Sequence, residues 1–284
     1  MPRYGEWSEG TFLSAVNTTE FEFANAISKD GLSFYVQRGD AGVNGENIWV
    51  SHRASVDGAW QAPEQLSGNV NSSFNDRAAY VSQDGHWLYF ASDRPGGRGR
   101  FDLMVSWRAH VHDESAWGPA VNLDDLGAPI NTAGFDSGPS LFEDEATGTT
   151  QMYFVSNPIG AQAAADIYRT TRNADGSFMP ATLVTELSTP SNEGRPYLRH
   201  DGLEIFFNSN RPGSLGLADI WVATRDATTD PWSSPQVVPV VSSTANEITP
   251  VLSWDGQTLF FASDRAGNTG DIFYSTRAKA RGTP

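Results

Sequence analysis

The sequence contains no cysteine, so it can form neither a disulfide bond nor a thiolate nucleophile or metal ligand. It also lacks a run of about 18 apolar residues, the length that a membrane-spanning helix needs. The first ten residues, MPRYGEWSEG, lack the apolar core of a signal peptide. These absences predict a soluble cytoplasmic protein without membrane contact, or a periplasmic or secreted one if the sequence is the trimmed form of a longer chain.

Positive charge is also scarce. The chain has 19 Lys and Arg against 34 Asp and Glu, which gives a formal net charge of −15. A surface of this sign repels the phosphate backbone, so we expect no nucleic-acid partner. An acidic surface is instead typical of a soluble protein or of one that attracts cations.

The dominant feature of the sequence is a repeated unit. Residues 75–109 read NDRAAYVSQDGHWLYFASDRPGGRGRFDLMVSWRA, and residues 192–226 and 246–278 have the same order of features. Weaker copies occupy residues 21–54 and 135–172. Each copy has an anchor aspartate, and these lie 54 to 60 residues apart: Asp30, Asp84, Asp144, Asp201 and Asp255.

Each copy predicts antiparallel strands. An apolar run ends at the anchor aspartate, usually in an Asp-Gly hairpin signal, and an aromatic run, a loop and a third strand follow. An aromatic residue followed by a proline marks a fourth strand after the first four copies, at Trp60, Trp117, Phe178 and Trp232. The fifth copy lacks this mark, but the N-terminal stretch GEWSEGTFLSAVNT supplies it through Trp7.

We therefore predict an all-β fold, a five-bladed β-propeller of four-stranded blades that forms a single domain over residues 1–284. The N-terminal strand completes the last blade, which leaves no blade edge unpaired. The alternative, an open stack of repeats, needs polar caps at both ends, and the sequence shows none. The predicted blades span about residues 19–66, 75–123, 134–187, 192–241, and 246–280 together with 5–16.

The segments SQDGHWLYFASDRPGG and SWDGQTLFFASDRAGNTGDI resemble the short WD-like propeller repeats of the TolB type. The resemblance covers nearly the whole chain. It implies a propeller fold but leaves the function open, because such propellers serve in protein complexes, in glycan binding and as enzymes.

The two ends of the predicted channel differ. The inner strands begin at one end, here called the carboxylate-side mouth, and the turns at the anchor aspartates lie at the other, the hairpin-side mouth. Eight residues before its anchor aspartate every copy has an acid: Glu22, Asp76, Asp136, Glu193 and Glu247. We expect these carboxylates to form a ring around the carboxylate-side mouth.

Five neighbouring carboxylates repel one another unless a positive group lies among them. One candidate is a divalent cation, in the first place Ca²⁺, which takes about six to eight oxygen ligands. The other is arginine, because Arg94, Arg211 and Arg265 follow the second strand in three copies. In that case the acids hold the blades together.

Asp136 and Glu22 are the preferred functional carboxylates, because their copies lack an arginine at that position. Arg77 and Arg195 interrupt the repeat beside the ring, where the other copies have uncharged residues. We expect them to bind an anionic substrate group or to stabilise an oxyanion, unless they form salt bridges with ring acids.

All five histidines map to the hairpin-side mouth. Their position argues against a zinc site or a Ser/His/Asp set at the carboxylate-side mouth, and the chain has no Gly-x-Ser-x-Gly element. A general base there has to be a carboxylate or a metal-bound water.

These residues support three functions. The first is a metal-assisted hydrolase of esters, lactones or phosphoesters, with a cation on the acid ring and Arg77 or Arg195 meeting the negative charge. The second is a non-enzymatic TolB-like module that binds a protein or glycan. The third is a glycosidase with an acid and a base carboxylate in the channel. The ligand is expected in the central channel, and the protein is expected to be a monomer.

Overall fold

The computed structural model describes residues 4–39, 45–127, 130–144, 147–157, 164–267 and 270–280. The only helices within these ranges are two 3-10 helices, Glu114–Ala116 and Leu123–Leu126. Neither these nor any other described segment forms a helix long and apolar enough to cross a membrane. The prediction of an all-β fold is confirmed.

The described residues form five antiparallel sheets of four strands. The first strands of the chain are β1 (Thr11–Phe12), β2 (Phe21–Ile27), β3 (Ser33–Gly39), β4 (Glu46–His52) and β5 (Glu64–Gln65). The second blade contains β6 (Asp76–Val81), β7 (Trp87–Ser92), β8 (Asp102–Trp107) and β9 (Val121–Asn122). The third contains β10 (Phe135–Asp144), β11 (Thr149–Asn157), β12 (Asp166–Arg172) and β13 (Thr182–Leu183). The last two contain β14 (Glu193–Leu198), β15 (Glu204–Ser209), β16 (Asp219–Thr224), β17 (Gln236–Val237), β18 (Glu247–Leu252), β19 (Thr258–Ser263) and β20 (Asp271–Thr276).

Strands β2 to β5 form the first blade, and β1 closes the ring by joining the last blade. It runs antiparallel to β20, with Thr11 opposite Tyr274 and Phe12 opposite Phe273. Trp7, just before β1, packs edge-on against Phe206 of the fourth blade, with 6.0 Å between the ring centroids. The predicted five-bladed ring with its N-terminal closing strand is therefore confirmed.

The Asp-Gly turns explain why this dipeptide recurs. In the second blade the Ser82 hydroxyl donates to the Asp84 carboxylate at 2.5 Å, and the same carboxylate accepts the His86 backbone N–H at 3.0 Å. Gly85 between them has a φ of 76°, in the left-handed region that glycine adopts without a steric penalty. The turn thus fixes the register of the first two strands.

An arginine at the end of the third strand holds the outer strand in place. Arg108 lies 4.1 Å over the ring of Trp117 and donates to the Gly85 carbonyl at 2.8 Å. The same stacking recurs in three other blades, as Arg53 on Trp60, Arg225 on Trp232 and Arg277 on Trp7. Each guanidinium connects the hairpin turn and the third strand to the fourth strand by stacking on the tryptophan. These tryptophans therefore have a structural role in the blade.

Each inner strand has a register shift just after its acid. In four blades a residue there adopts a left-handed φ between 50° and 62°: Ala78, Gly138, Arg195 and Thr249. Three of these are not glycine, and non-glycine residues rarely adopt this region. The bulges lie around the throat of the channel, which we define by the small cavity that all four residues line.

Tyr80 and Tyr197 contact each other in the channel, between its two mouths. Their ring centroids are 6.0 Å apart, and the Tyr80 hydroxyl donates to the Leu141 carbonyl at 2.8 Å. Tyr197 lines a cavity on either side of this contact. The two mouths are therefore separate candidate sites.

Candidate functional site

The five acids of the predicted ring are fully buried. Each accepts hydrogen bonds from the loop that leads into its own strand. Glu193, for example, accepts the Thr189 backbone N–H at 3.0 Å and the Thr189 hydroxyl at 2.7 Å. A Ser or Thr four residues before the acid does the same in every blade, and these residues are Thr18, Ser72, Thr132, Thr189 and Ser243. The acids therefore serve as anchors for the loops between blades.

Four of these acids are also paired with arginine. The three predicted arginines form the ion pairs Arg94–Asp76 at 2.6 Å, Arg211–Glu193 at 3.0 Å and Arg265–Glu247 at 2.9 Å. The prediction that Glu22 lacks an arginine is wrong. Arg38 lies two positions earlier in its copy than the arginines of the other three copies. Its Nε nevertheless lies 2.9 Å from Glu22 Oε1.

Asp136 is the exception. Its Oδ2 accepts the Thr132 backbone N–H at 2.6 Å and the Thr132 hydroxyl at 2.9 Å, but no arginine of the described chain pairs with it. Ser156 lies opposite Asp136 on β11, and Asp136 Oδ1 forms no hydrogen bond within the described residues. Burial raises the pKa of Asp136 above its ordinary value.

These contacts do not fit the predicted calcium site. A calcium ion needs about six to eight oxygen ligands. The acids instead accept hydrogen bonds from loop N–H, hydroxyl and guanidinium groups. The described ranges contain no group of three or more His, Cys, Asp or Glu side chains that could hold a metal ion. Metal ligation by Glu22, Asp76, Asp136, Glu193 and Glu247 thus gains no support from the geometry.

Arg77 forms a salt bridge, but not with an acid of the ring. Its Nη1 lies 3.2 Å from Glu46 of the first blade. The guanidinium stacks 3.6 Å over Phe101 and 5.1 Å from the ring of Phe135. Burial lowers the pKa of Arg77. The residue therefore joins three blades beside the carboxylate-side mouth.

Arg195 lies in the throat of the same mouth. It reaches across the channel to the first blade, where Nη2 donates to Gln37 Oε1 at 2.8 Å and Nη1 to Asn25 Oδ1 at 3.3 Å. Within the described residues no carboxylate forms an ion pair with it. Burial and the charge of Arg77 lower the pKa of Arg195 to about 9. Of the predicted catalytic residues, Arg77 and Arg195 lie near each other, whereas Glu22 and Asp136 are enclosed in their loops.

The hairpin-side mouth has a much larger cavity, of about 600 Å³. It is lined by the residue that precedes the anchor aspartate in each blade, and these five residues are Lys29, Gln83, Glu143, His200 and Trp254. This set was not predicted from the sequence. The signal for it was a repeat position at which all five copies differ, directly before an aspartate that all five share.

Trp254 lies at the centre of this set. The His200 ring stacks on it with 4.7 Å between centroids and 28° between planes, and the Lys29 ammonium lies 4.7 Å from the indole centroid. Glu143 accepts the Gln83 backbone N–H at 2.9 Å. Burial raises the pKa of Glu143 and lowers that of His200, so His200 is mainly neutral at pH 7.

A second cavity of about 780 Å³ adjoins this mouth between the first and last blades. Trp254 and Lys29 line both cavities, and the exposed Phe12 and Val56 also line the second one. Ligand sites in proteins usually enclose about 300–1,000 Å³. The hairpin-side mouth therefore has room for a ligand of several rings.

No family model matches the chain, and no curated protein matches it. Among solved structures, a protein described as TolB from Agrobacterium tumefaciens is 16% identical, with 96% of this chain and 92% of that one covered and a TM-score of 0.52. An endo-arabinase from Bacteroides thetaiotaomicron is 16% identical over 97% of this chain and 99% of that one, with a TM-score of 0.59. A GH43_1 enzyme from Xanthomonas citri, solved with xylotriose, is 18% identical over 95% of this chain and 91% of that one, with a TM-score of 0.62. At these identities the likeness shows a shared propeller fold and no family.

Proposed function

We propose that this protein binds a saccharide at its hairpin-side mouth. The observation that carries the proposal is the set of five different residues at one repeat position around a cavity of about 600 Å³. A residue that builds the blade recurs from copy to copy, as the anchor aspartates do. A position that differs in every blade and faces a cavity is suited to contact an asymmetric ligand.

The chemistry of the five side chains fits a sugar. Trp254 lines both cavities beside its contacts with His200 and Lys29, and its indole is an apolar ring of the kind that packs against the ring carbons of a sugar. Gln83, Glu143, Lys29 and His200 supply donors and acceptors for hydroxyl groups. Two of the similar solved structures support the choice of ligand at the level of the fold, since one is an endo-arabinase and another was solved with xylotriose.

Replacing Trp254 tests the proposal. Trp254→Ala is expected to weaken binding of the best oligosaccharide by about tenfold or more, because 1.4 kcal/mol of lost stacking corresponds to tenfold in affinity. The measurement is calorimetric titration with arabino- and xylo-oligosaccharides, chosen first from a glycan array.

The matched control is Trp107→Ala. Trp107 also stacks with a histidine, His86, at 6.3 Å, and it is 47% exposed, but it lies outside the hairpin-side cavities. The control is expected to bind like the unaltered protein. Equal losses in both variants, or no saccharide bound by the unaltered protein, would remove the hairpin-side mouth as a saccharide site.

A glycosidase is the second candidate, favoured by two carboxyl groups that line the same cavity. Burial raises the pKa of Glu143. Burial also disfavours ionisation of Asp201, but hydrogen bonds from Arg199 and Leu203 and the charge of Arg199 outweigh it and lower the pKa of Asp201. Two carboxyls with opposite shifts match the acid and base roles of glycoside hydrolysis. Asp201 shares its lowered pKa with the anchor aspartates Asp30 and Asp255, however, so Glu143 is the residue that distinguishes this candidate.

Glu143→Gln is the test for catalysis. If Glu143 is the general acid, the variant is expected to retain saccharide binding and to lose about 10²- to 10⁴-fold in rate on unactivated oligosaccharides. The rate of the unaltered protein should fall as the pH rises through the raised pKa of Glu143, because the acid must be protonated. Glu64→Gln, which alters an exposed acid on β5 outside both hairpin-side cavities, serves as control. An unchanged rate in Glu143→Gln excludes this acid, and no hydrolysis by the unaltered protein leaves saccharide binding alone.

A further inference from the structure

Arg195 is a charged residue at a repeat position that is otherwise uncharged. The other blades have Ala24, Ala78, Gly138 and Thr249 there. Its guanidinium crosses the throat to the first blade and donates to two neutral amide oxygens, those of Gln37 and Asn25. A largely buried cation thus has polar contacts but no counter-charge among them.

Charge is unbalanced in the surroundings of Arg195 as well. The nearest charged groups are Arg77 and Glu46, and Arg77 already pairs with Glu46 at 3.2 Å. Asp93 and Arg100 also lie near Arg77, so three guanidinium groups face two carboxylates within the described part of the chain. A buried charge without a partner is costly, and an anion beside Arg195 would relieve that cost.

Two further polar groups in the throat lack partners. Asn25 and Thr249 line the same cavity as Arg195 and are only 6% and 3% exposed. Asn25 Nδ2 and Thr249 Oγ1 have no hydrogen-bond partner within the described ranges. Buried donors are rarely left unpaired in folded proteins. An amide N–H and a hydroxyl are therefore available beside the guanidinium.

The backbone also fits this arrangement. Arg195 and Thr249 have left-handed φ values of 50° and 53° as part of the bulge that recurs in four blades, and both residues line the throat. Gly138 faces Arg195, and a Cβ at Gly138 would lie 3.1 Å from Arg195 Cδ. The glycine of the third blade thus leaves room for the arginine of the fourth.

The size of the throat limits what it can hold. Its cavity measures about 10 Å³, which is the space of roughly one water-sized particle. Divalent oxyanions such as sulfate exceed this size. A halide ion or one end of a carboxylate group fits.

We propose that Arg195, Asn25 and Thr249 form a binding site for one small monoanion, either a halide ion or the carboxylate group of an organic ligand. The site lies at the carboxylate-side mouth, beyond the tyrosine contact from the hairpin-side cavity. It stands independently of the proposed saccharide site.

The test is a set of melting curves and calorimetric titrations with chloride, bromide and formate at constant ionic strength. Sodium methanesulfonate, whose anion is too large for the throat, keeps the ionic strength constant. The unaltered protein is expected to bind one anion and to gain about 5 °C in Tm at saturation, because the anion binds only the folded state. Binding of both halide and formate assigns the site to small monoanions in general, and binding of formate alone assigns it to carboxylates.

Arg195→Gln is the decisive variant. It is expected to lose anion binding and the anion-dependent rise in Tm. Its Tm without the anion should match or exceed that of the unaltered protein, because the variant removes an unpaired buried charge. Arg98→Gln, which removes a surface arginine paired with Asp124, should keep the full anion response.

Two outcomes would overturn the proposal. One is an absence of saturable anion binding by the unaltered protein. The other is an anion response that survives in Arg195→Gln. A bromide-soaked crystal gives a separate check, since anomalous scattering should place the ion beside Arg195, and bromide found only elsewhere contradicts the site. Trp254→Ala should leave the anion response unchanged, which separates this site from the saccharide site.

Discussion

Deletion of residues 1–17 is expected to prevent the chain from folding into a stable soluble monomer. The segment supplies β1, and with it the fourth strand of the last blade. It also supplies Val16, which is fully buried in the core, and Trp7, which packs against the fourth blade. Asn17 forms two hydrogen bonds with the backbone of Ile272, at 2.9 and 2.7 Å.

The energies involved are comparable to the stability of a whole domain. Losing a packed Trp costs about 3–5 kcal/mol, and losing a buried Val about 1.5–3 kcal/mol. A domain has only about 5–15 kcal/mol of net stability. The deletion also exposes the edge of β20, which invites aggregation.

The deletion is checked by size-exclusion chromatography and by circular dichroism melting. A synthetic peptide of residues 4–17 added in trans is expected to restore part of the soluble fraction, because it can pair with the exposed edge of β20. Glu9→Ala, an exposed substitution in the same segment, is the control and should melt like the unaltered protein. A truncated protein that remains monomeric with an unchanged Tm would show that the N-terminal strand is dispensable for closure.

The fold could be predicted because each step of the repeat has a local cause. The turn aspartate, the glycine in the left-handed region and the aromatic of the fourth strand recur in nearly every copy, and each has a defined contact in the structure. The fifth copy has no fourth-strand aromatic after it, and the N-terminal stretch has one in Trp7. These two observations were enough to predict the ring closure.

The candidate sites were harder to predict, because the sequence gives the position of a residue and not the direction of its side chain. The five acids lie at the start of the inner strands as expected. Each side chain, however, points into the loop before its own strand, where a Ser or Thr donates hydrogen bonds to it. Glu22 has an arginine because a long side chain reaches over two residues. The hairpin-side set was overlooked because no single member looks unusual within its own blade.

Within the ring of five acids, the carboxylates paired with arginine and the unpaired Asp136 are expected to respond in opposite ways to neutralisation. Glu193→Gln should lower stability by about 3–5 kcal/mol, because it leaves the guanidinium of Arg211, a residue only 7% exposed, without its carboxylate. Glu247→Gln repeats this test in another blade with a smaller expected loss, because the side chain of Arg265 is 24% exposed and water can solvate its unpaired guanidinium.

Asp136→Asn should be tolerated or even stabilising at neutral pH. The amide oxygen can still accept both hydrogen bonds from Thr132, and no arginine is left behind. Burial raises the pKa of Asp136 in the folded protein, so folding favours the protonated carboxyl. The stability that this preference gives is fully present below the unfolded pKa of about 3.9 and is lost as the pH rises through the folded pKa. The advantage of asparagine is therefore expected at pH 7.5 and should vanish below about pH 4.

Urea unfolding of the three variants at pH 7.5 and pH 4, with EDTA or with added Ca²⁺, distinguishes the two interpretations of the ring of five acids. If the acids anchor loops, Ca²⁺ changes none of the midpoints, and the loss in Glu193→Gln and Glu247→Gln contrasts with the tolerance of Asp136→Asn. If they bind calcium, Ca²⁺ stabilises the unaltered protein, and Asp136→Asn abolishes that gain. The ion pairs of Glu193 and Glu247 and the unpaired oxygen of Asp136 favour the first result.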